Sequence, residues 1–193
     1  MVAMEVLEAK LGEDEKILWS GSCRKDIKAL DAVQKPVFRH RLIIWIAVFL
    51  AATAFYVYKA SAVDARIKVS IPIILVFLVV CAVSPGMVST DARKVKRLVY
   101  AATDRRLMIT GDKILEMPYE RITEACVRTD PAGFESLLCG TESSTLSPDK
   151  WRYVSFIGDI GSEFEEGPCK RFVMYAVDDM EGLKTALQDK INL

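Results

Sequence analysis

LIIWIAVFLAATAFYVY at 42–58 and VSIPIILVFLVVCAVSPGMV at 69–88 decide how this chain folds. Neither stretch holds a charged side chain, and Lys59–Lys68 separates them. As helices they would be about 26 Å and about 30 Å long, close to the hydrocarbon thickness of a bilayer. The pair predicts a transmembrane hairpin, Leu42–Tyr58 and Val69–Val88. Two uncharged runs with basic flanks argue against a buried helix pair of a soluble protein. Trp45 sits one turn inside the first run, and Tyr56 and Tyr58 mark its far end, where their rings suit the headgroup layer. Pro72 falls in the first turn of the second run, where a missing N–H costs little. Ser84-Pro85-Gly86 predicts a kink or an early exit near its other end.

The flanking charges give an orientation. Arg24, Lys25, Lys28, Lys35, Arg39 and Arg41 precede the first run, and Arg93, Lys94, Lys96, Arg97, Arg105 and Arg106 follow the second. The connecting loop holds only Lys59, Arg66 and Lys68, with Asp64 among them. By the positive-inside rule both termini are cytoplasmic and the loop faces out. The expected location is the cell membrane, as a multi-pass protein. Glu5, Glu8, Glu13, Asp14 and Glu15 occupy the start without an apolar core, so no cleavable signal peptide is expected. The first run is then its own insertion signal.

The chain has 193 residues and a formal net charge of zero, which carries no nucleic-acid signature. It divides into a cytoplasmic segment (1–41), the hairpin (42–88) and a soluble domain (89–193) long enough for its own core. The five cysteines, Cys23, Cys81, Cys126, Cys139 and Cys169, are scattered. They predict free thiols in a reducing compartment. His40, the one histidine, stands beside the first run, far in sequence from most cysteines. There is no phosphate-binding glycine loop, no GxSxG and no HExxH. The acidic loop Glu163, Glu165, Glu166 lacks EF-hand spacing and reads as solvated. The chain is therefore expected not to be an enzyme, and to use no cofactor, metal or small-molecule substrate.

Outside the hairpin the pattern changes to short β-like segments. Val2, Val6, Leu7 and Leu11 suit one face of a short helix, and Glu15–Gly21 a strand. Ile27, Leu30 and Val33 mark an apolar stripe among basic residues, with Pro36 as its stop. It reads equally as a helix on the membrane surface or one packed on the C-terminal domain. After the runs, Leu98–Ala102, Arg105–Thr110, Ile114–Met117, Ile122–Arg128, Phe134–Leu138, Trp151–Ile157 and Arg171–Val177 read as strands. Ser143–Lys150 is a long polar loop. Asp178 and Glu181 have capping-box spacing ahead of Leu183, Ala186, Leu187 and Ile191, which predict a C-terminal helix. Six or seven short strands closed by one helix make a strongly bent sheet whose open end the helix covers.

That order of elements resembles the pleckstrin-homology-like (PH-like) fold. Leu11-Gly12-Glu13 through Trp19-Ser20-Gly21 is similar to the "GE…W.G" opening of small bacterial membrane proteins that carry a bacterial PH-like domain. Tyr100 through Thr103-Asp104-Arg105-Arg106 is similar to their "Y..TDRR" strand pair, and Met117-Pro118 through Val127 to the "P…I..V" stretch that follows. Cys23 stands where such openings often carry proline. The resemblance implies a membrane hairpin joined to an α+β domain, a small barrel or pair of bent sheets capped by a C-terminal helix. It implies a binding and scaffolding platform; fold by itself names no ligand.

Two groups of residues carry the expected function. Thr103-Asp104-Arg105-Arg106 fixes a strand turn by hydrogen bonds and an ion pair, or turns Arg105 and Arg106 toward lipid phosphates or an acidic partner. Arg93, Lys94, Lys96 and Arg97 lie directly below the second run, where they set the topology alone or also each contribute about 1 kcal/mol of attraction to an anionic leaflet. Trp19, Gly21, Tyr100, Thr103 and Asp104 belong to the fold motif. The expected function is a membrane-anchored, non-catalytic interaction module that binds a protein, a second copy included, or an anionic lipid surface. The alternative is an accessory subunit of a membrane assembly acting through its hairpin. Ala47, Ala51, Ala52 and Ala54 would then allow close helix packing.

Overall fold

The structure is a computed structural model that describes residues 7–62, 90–158 and 167–193. The second run Val69–Val88 with Cys81, Pro72 and Ser84-Pro85-Gly86 lies outside the described residues. So do Val2, Val6, most of Lys59–Lys68, and Glu163, Glu165 and Glu166.

Strand β1 (Ile17–Ser22) precedes the apolar helix, yet it pairs antiparallel with β2 (Val99–Thr103), which follows it. β3 (Arg106–Thr110) and β4 (Ile114–Pro118) complete an antiparallel sheet in the order β1-β2-β3-β4. A short 3-10 turn, Tyr119–Arg121, leads into a second antiparallel sheet, β5 (Ala125–Thr129), β6 (Glu135–Cys139) and β7 (Phe172–Met174). The protein is thus α+β with two antiparallel sheets. Alternation in β3 sends Leu107 and Ile109 into the main core, beside Tyr100, Leu137, Leu138, Met174 and Trp151. Met108 points the other way, where Leu7 covers it together with Ala101, so both faces of this sheet are buried.

Helix α1 (Gln34–Ala62) is 29 residues long and starts eight residues before the expected Leu42. Pro36 sits in its first turn, where the backbone N–H has no helical partner, instead of ending an earlier stripe. Ile27 and Val33 are buried in non-helical chain and Leu30 is exposed, so the expected short helix does not form there. Among the described residues α1 is the helix long and apolar enough to cross a membrane, over Gln34–Phe55. No residue in that stretch is buried by the protein. Thr53 returns its hydroxyl to the Phe49 carbonyl at 2.8 Å, which satisfies it without water.

Trp151–Ile157 is not a strand. It belongs to helix α2 (Pro148–Ile157), which packs on β7. Pro148 occupies the first turn, and Gly158, at φ 75°, ends the helix with its N–H on the Val154 carbonyl. Trp151, Val154 and Ser155 are buried at helical spacing while Tyr153 is exposed. The apolar residues at 151, 154, 156 and 157 fit both periods over so short a run, and the tertiary contacts choose the helix. Helix α3 (Met180–Leu187) closes the core through Leu183 and Leu187 and packs on β1 and β2. Its cap is Asp179, one residue later than expected, which accepts the Gly182 N–H.

Candidate functional site

The opening motif joins the first strand to the last helix. Trp19 points inward from β1 and donates its Nε1–H to Asp179 Oδ2 at 3.0 Å, while Asp179 Oδ1 caps α3. A Cβ on Gly21 would stand 2.3 Å from the Trp19 ring, so the ring needs glycine two residues on. A Cβ on Gly182 would stand 2.0 Å from Asp179 Oδ2, which fixes the other side of the same contact. Farther in, fully buried Tyr100 donates to the Tyr175 carbonyl, and Tyr175 donates to Asp130. Asp130 also accepts the backbone N–H groups of Ala132 and Phe134 in the β5–β6 turn.

The turn Thr103-Asp104-Arg105-Arg106 is a second junction. The Thr103 hydroxyl accepts the N–H groups of Arg105 and Arg106 at 3.1 and 2.9 Å. Asp104 accepts the Lys16 N–H at 3.0 Å. Arg106 makes a bidentate pair with Glu15, Nε to Oε1 at 2.9 Å and Nη2 to Oε2 at 2.7 Å. It also reaches Glu116 and the Lys10 carbonyl. Glu15 is buried and further accepts from Gly12 N and Thr103 Oγ1. The Arg106 hydrogen bonds, helped by those from Gly12 and Thr103, outweigh burial and hold this carboxyl at about pKa 2. Arg106, 20% exposed, therefore binds the N-terminal segment to the β2–β3 hairpin, while Arg105 stays exposed.

A third junction lies where α1 leaves the α+β head. Asp31 Oδ1 accepts the N–H groups of Val33 and Gln34 at 3.0 and 2.8 Å, and its carbonyl accepts Lys35 N. Asp31 thus caps the apolar helix. Its Oδ2 forms a buried ion pair with Arg152 of α2. Arg152 also holds the Lys28 and Ala29 carbonyls, each at 3.2 Å, and lies over the Tyr175 ring. One carboxylate therefore joins the start of α1 to the core of the head. Neither Asp31 nor Arg152 was legible as a pair, because 121 residues separate them and each alone reads as a surface charge.

Arg93, Lys94, Lys96 and Arg97 lie on chain that runs beside the linker before α1. Residues 90–95 are helical, and Cys23 N bonds the Leu98 carbonyl at 3.1 Å. Lys25 Nζ reaches the Lys96 carbonyl at 2.7 Å, so the linker before α1 runs beside the segment after the second run. Lys94 pairs with Asp112 at 3.3 Å and lies over the Phe156 ring. Arg93 and Arg97 are exposed, and Lys96 is half-buried. Asp91, in the field of Lys94, Arg152 and Arg41, has its carboxyl pKa raised by burial. Arg105 and Arg106 belong instead to the Glu15 junction at the β2–β3 turn.

The described cysteines are free thiols, with Cys23, Cys139 and Cys169 fully buried and Cys126 partly so. Burial pushes the Cys23 thiol up to about 12 and raises Cys139 as well, which disfavours the thiolate at either position. Among the described residues no group of three His, Cys, Asp or Glu side chains converges on a metal position. Comparison with family models, curated proteins and solved structures finds no match for this chain.

Proposed function

We propose that this chain is a membrane-anchored, non-catalytic interaction module, a PH-like head held at the cytoplasmic face of the cell membrane by a two-helix hairpin. The observation that carries this reading is helix α1, apolar, with no buried residue over Gln34–Phe55, and clamped at its first turn to the folded head through Asp31 and Arg152. So large an apolar surface needs a lipid or protein cover. The pairing of β1 with β2 supports a hairpin over a single crossing. Both strands lie in one sheet, so a chain that leaves their compartment through α1 has to return before Val99. The basic residues flanking α1 and 90–97 favour the cytoplasmic side.

The order of the sheets, four strands then three with a helix closing the core, supports the PH-like reading. The head offers its surface to a protein, a second copy included, or to anionic lipid. Crosslinking in membranes followed by identification of the attached peptides tests this. Partners captured through 89–193 support the module. Partners captured only through 42–88 support the accessory-subunit reading instead. Release of the intact chain from membranes by alkaline carbonate would overturn both.

A further inference from the structure

Helix α2 touches both chain segments that adjoin the apolar runs. At its first turn, Gln34 of α1 donates Nε2 to the Asp149 carbonyl at 3.1 Å, and just past that turn Arg152 pairs with the α1 cap Asp31. At its last turn, the Phe156 ring lies 5.5 Å from Lys94 Nζ, in the segment that follows the second run. Asp91, three residues before Lys94, is in the electrostatic field of Arg41, the residue immediately before the first run. Both ends of α2 thus lie against chain that adjoins the apolar runs.

The inner face of α2 is filled by Trp151, Val154 and Ser155. The outer face carries Lys150, Tyr153 (50% exposed) and half-buried Phe156 and Ile157. The Tyr153 and Phe156 rings meet edge-on, with centroids 5.7 Å apart. Aromatic rings beside a lysine, next to a membrane helix, match the chemistry of the layer between water and hydrocarbon. We propose that the outer face of α2 lies in the phospholipid headgroup layer as a third, non-spanning membrane contact. Tyr153 and Phe156 enter the layer and Lys150 faces lipid phosphates. This rests on the reading of α1 as a membrane span.

The test uses the full chain with the photoreactive residue p-benzoylphenylalanine replacing Tyr153, in nanodiscs of phosphatidylcholine and phosphatidylserine. The same probe replacing Leu18 is the comparison. Leu18 is similarly exposed but stands at the β1 bulge, near Lys16, which the β2–β3 turn holds through Asp104. Irradiation is expected to give phospholipid adducts at 153 at least about five-fold more often than at 18, as an interfacial aromatic position requires. Equal frequencies at the two positions would overturn the proposal, as would attachment of position 153 to a polypeptide. Carbonate extraction of the same samples separates the two levels of failure. A chain retained by the membrane without lipid adducts at 153 sinks the α2 contact only, whereas a chain that is released sinks the membrane reading with it.

Discussion

Glu15 joins two distant parts of the chain through one carboxylate, and its titration makes that junction measurable. Its carboxyl is depressed from 4.5 to about 2 in the folded state, chiefly by Arg106. The stabilisation is therefore complete above the unfolded value near 4.5 and is lost as pH falls toward about 2, about 3 kcal/mol in all. Glu15→Gln is expected to lower the stability of the head by about 2–3 kcal/mol at pH 7 and to flatten this acid dependence. Urea unfolding of the detergent-solubilised chain, followed by tryptophan fluorescence across pH 2–7, checks both. An unchanged acid limb would assign the dependence to another carboxylate. Gly21→Ala places a methyl against the Trp19 ring. It is expected to cost about 1–3 kcal/mol and to shift tryptophan emission. The sequence showed Trp19 and Gly21 as a motif and the Thr103–Arg106 turn as a candidate ion-pair site. It pointed to Asp104 as the carboxylate; packing gave that role to Glu15, because burial of the N-terminal segment brings it to Arg106.

At the scale of elements, α1 and α2 depend on each other through Asp31. Asp31→Ala removes both the helix cap and the partner of a buried guanidinium, and is expected to destabilise the head by about 3–5 kcal/mol. Asp31→Asn retains the cap, so its cost measures the lost charge together with the Arg152 hydrogen bond, which an amide nitrogen cannot accept. Arg152→Met removes the charge and keeps an apolar stem. The double variant Asp31→Asn, Arg152→Met is expected to lose less than the sum of the two single changes. Thermal unfolding of the four proteins in one detergent gives the coupling, and strict additivity would show that the pair contributes nothing specific. Element types were legible where the signal was long or strongly punctuated. The β2–β3–β4 meander, the C-terminal helix and the apolar character of α1 all show in the pattern of residues. Helix α2 was not, because ten residues with scattered aromatics satisfy two periods, and only the core beneath Trp151 and Val154 separates them.

For the whole molecule, β1 and β2 bracket everything between them. A chain with a hairpin keeps both strands in one compartment, and a chain with a single crossing cannot. Deleting 69–88 while leaving α1 intact is expected to abolish the protease-resistant head in membranes. Limited proteolysis with and without the deletion checks this. A head that stays resistant while α1 remains inserted would show that the second run does not cross. Reporters fused before residue 1 and after residue 193 are expected on the same side.

The sequence by itself determined the apolar character of α1, the basic flanks and most of the strands, because these follow from local composition and short periods. Tertiary structure decided that the strand before α1 completes the sheet after it. It also decided that Arg106 serves Glu15, and that one aspartate ties the apolar helix to the head. Each of these joins residues about 80 to 120 positions apart, and a local pattern has no means of specifying a partner that only burial brings near.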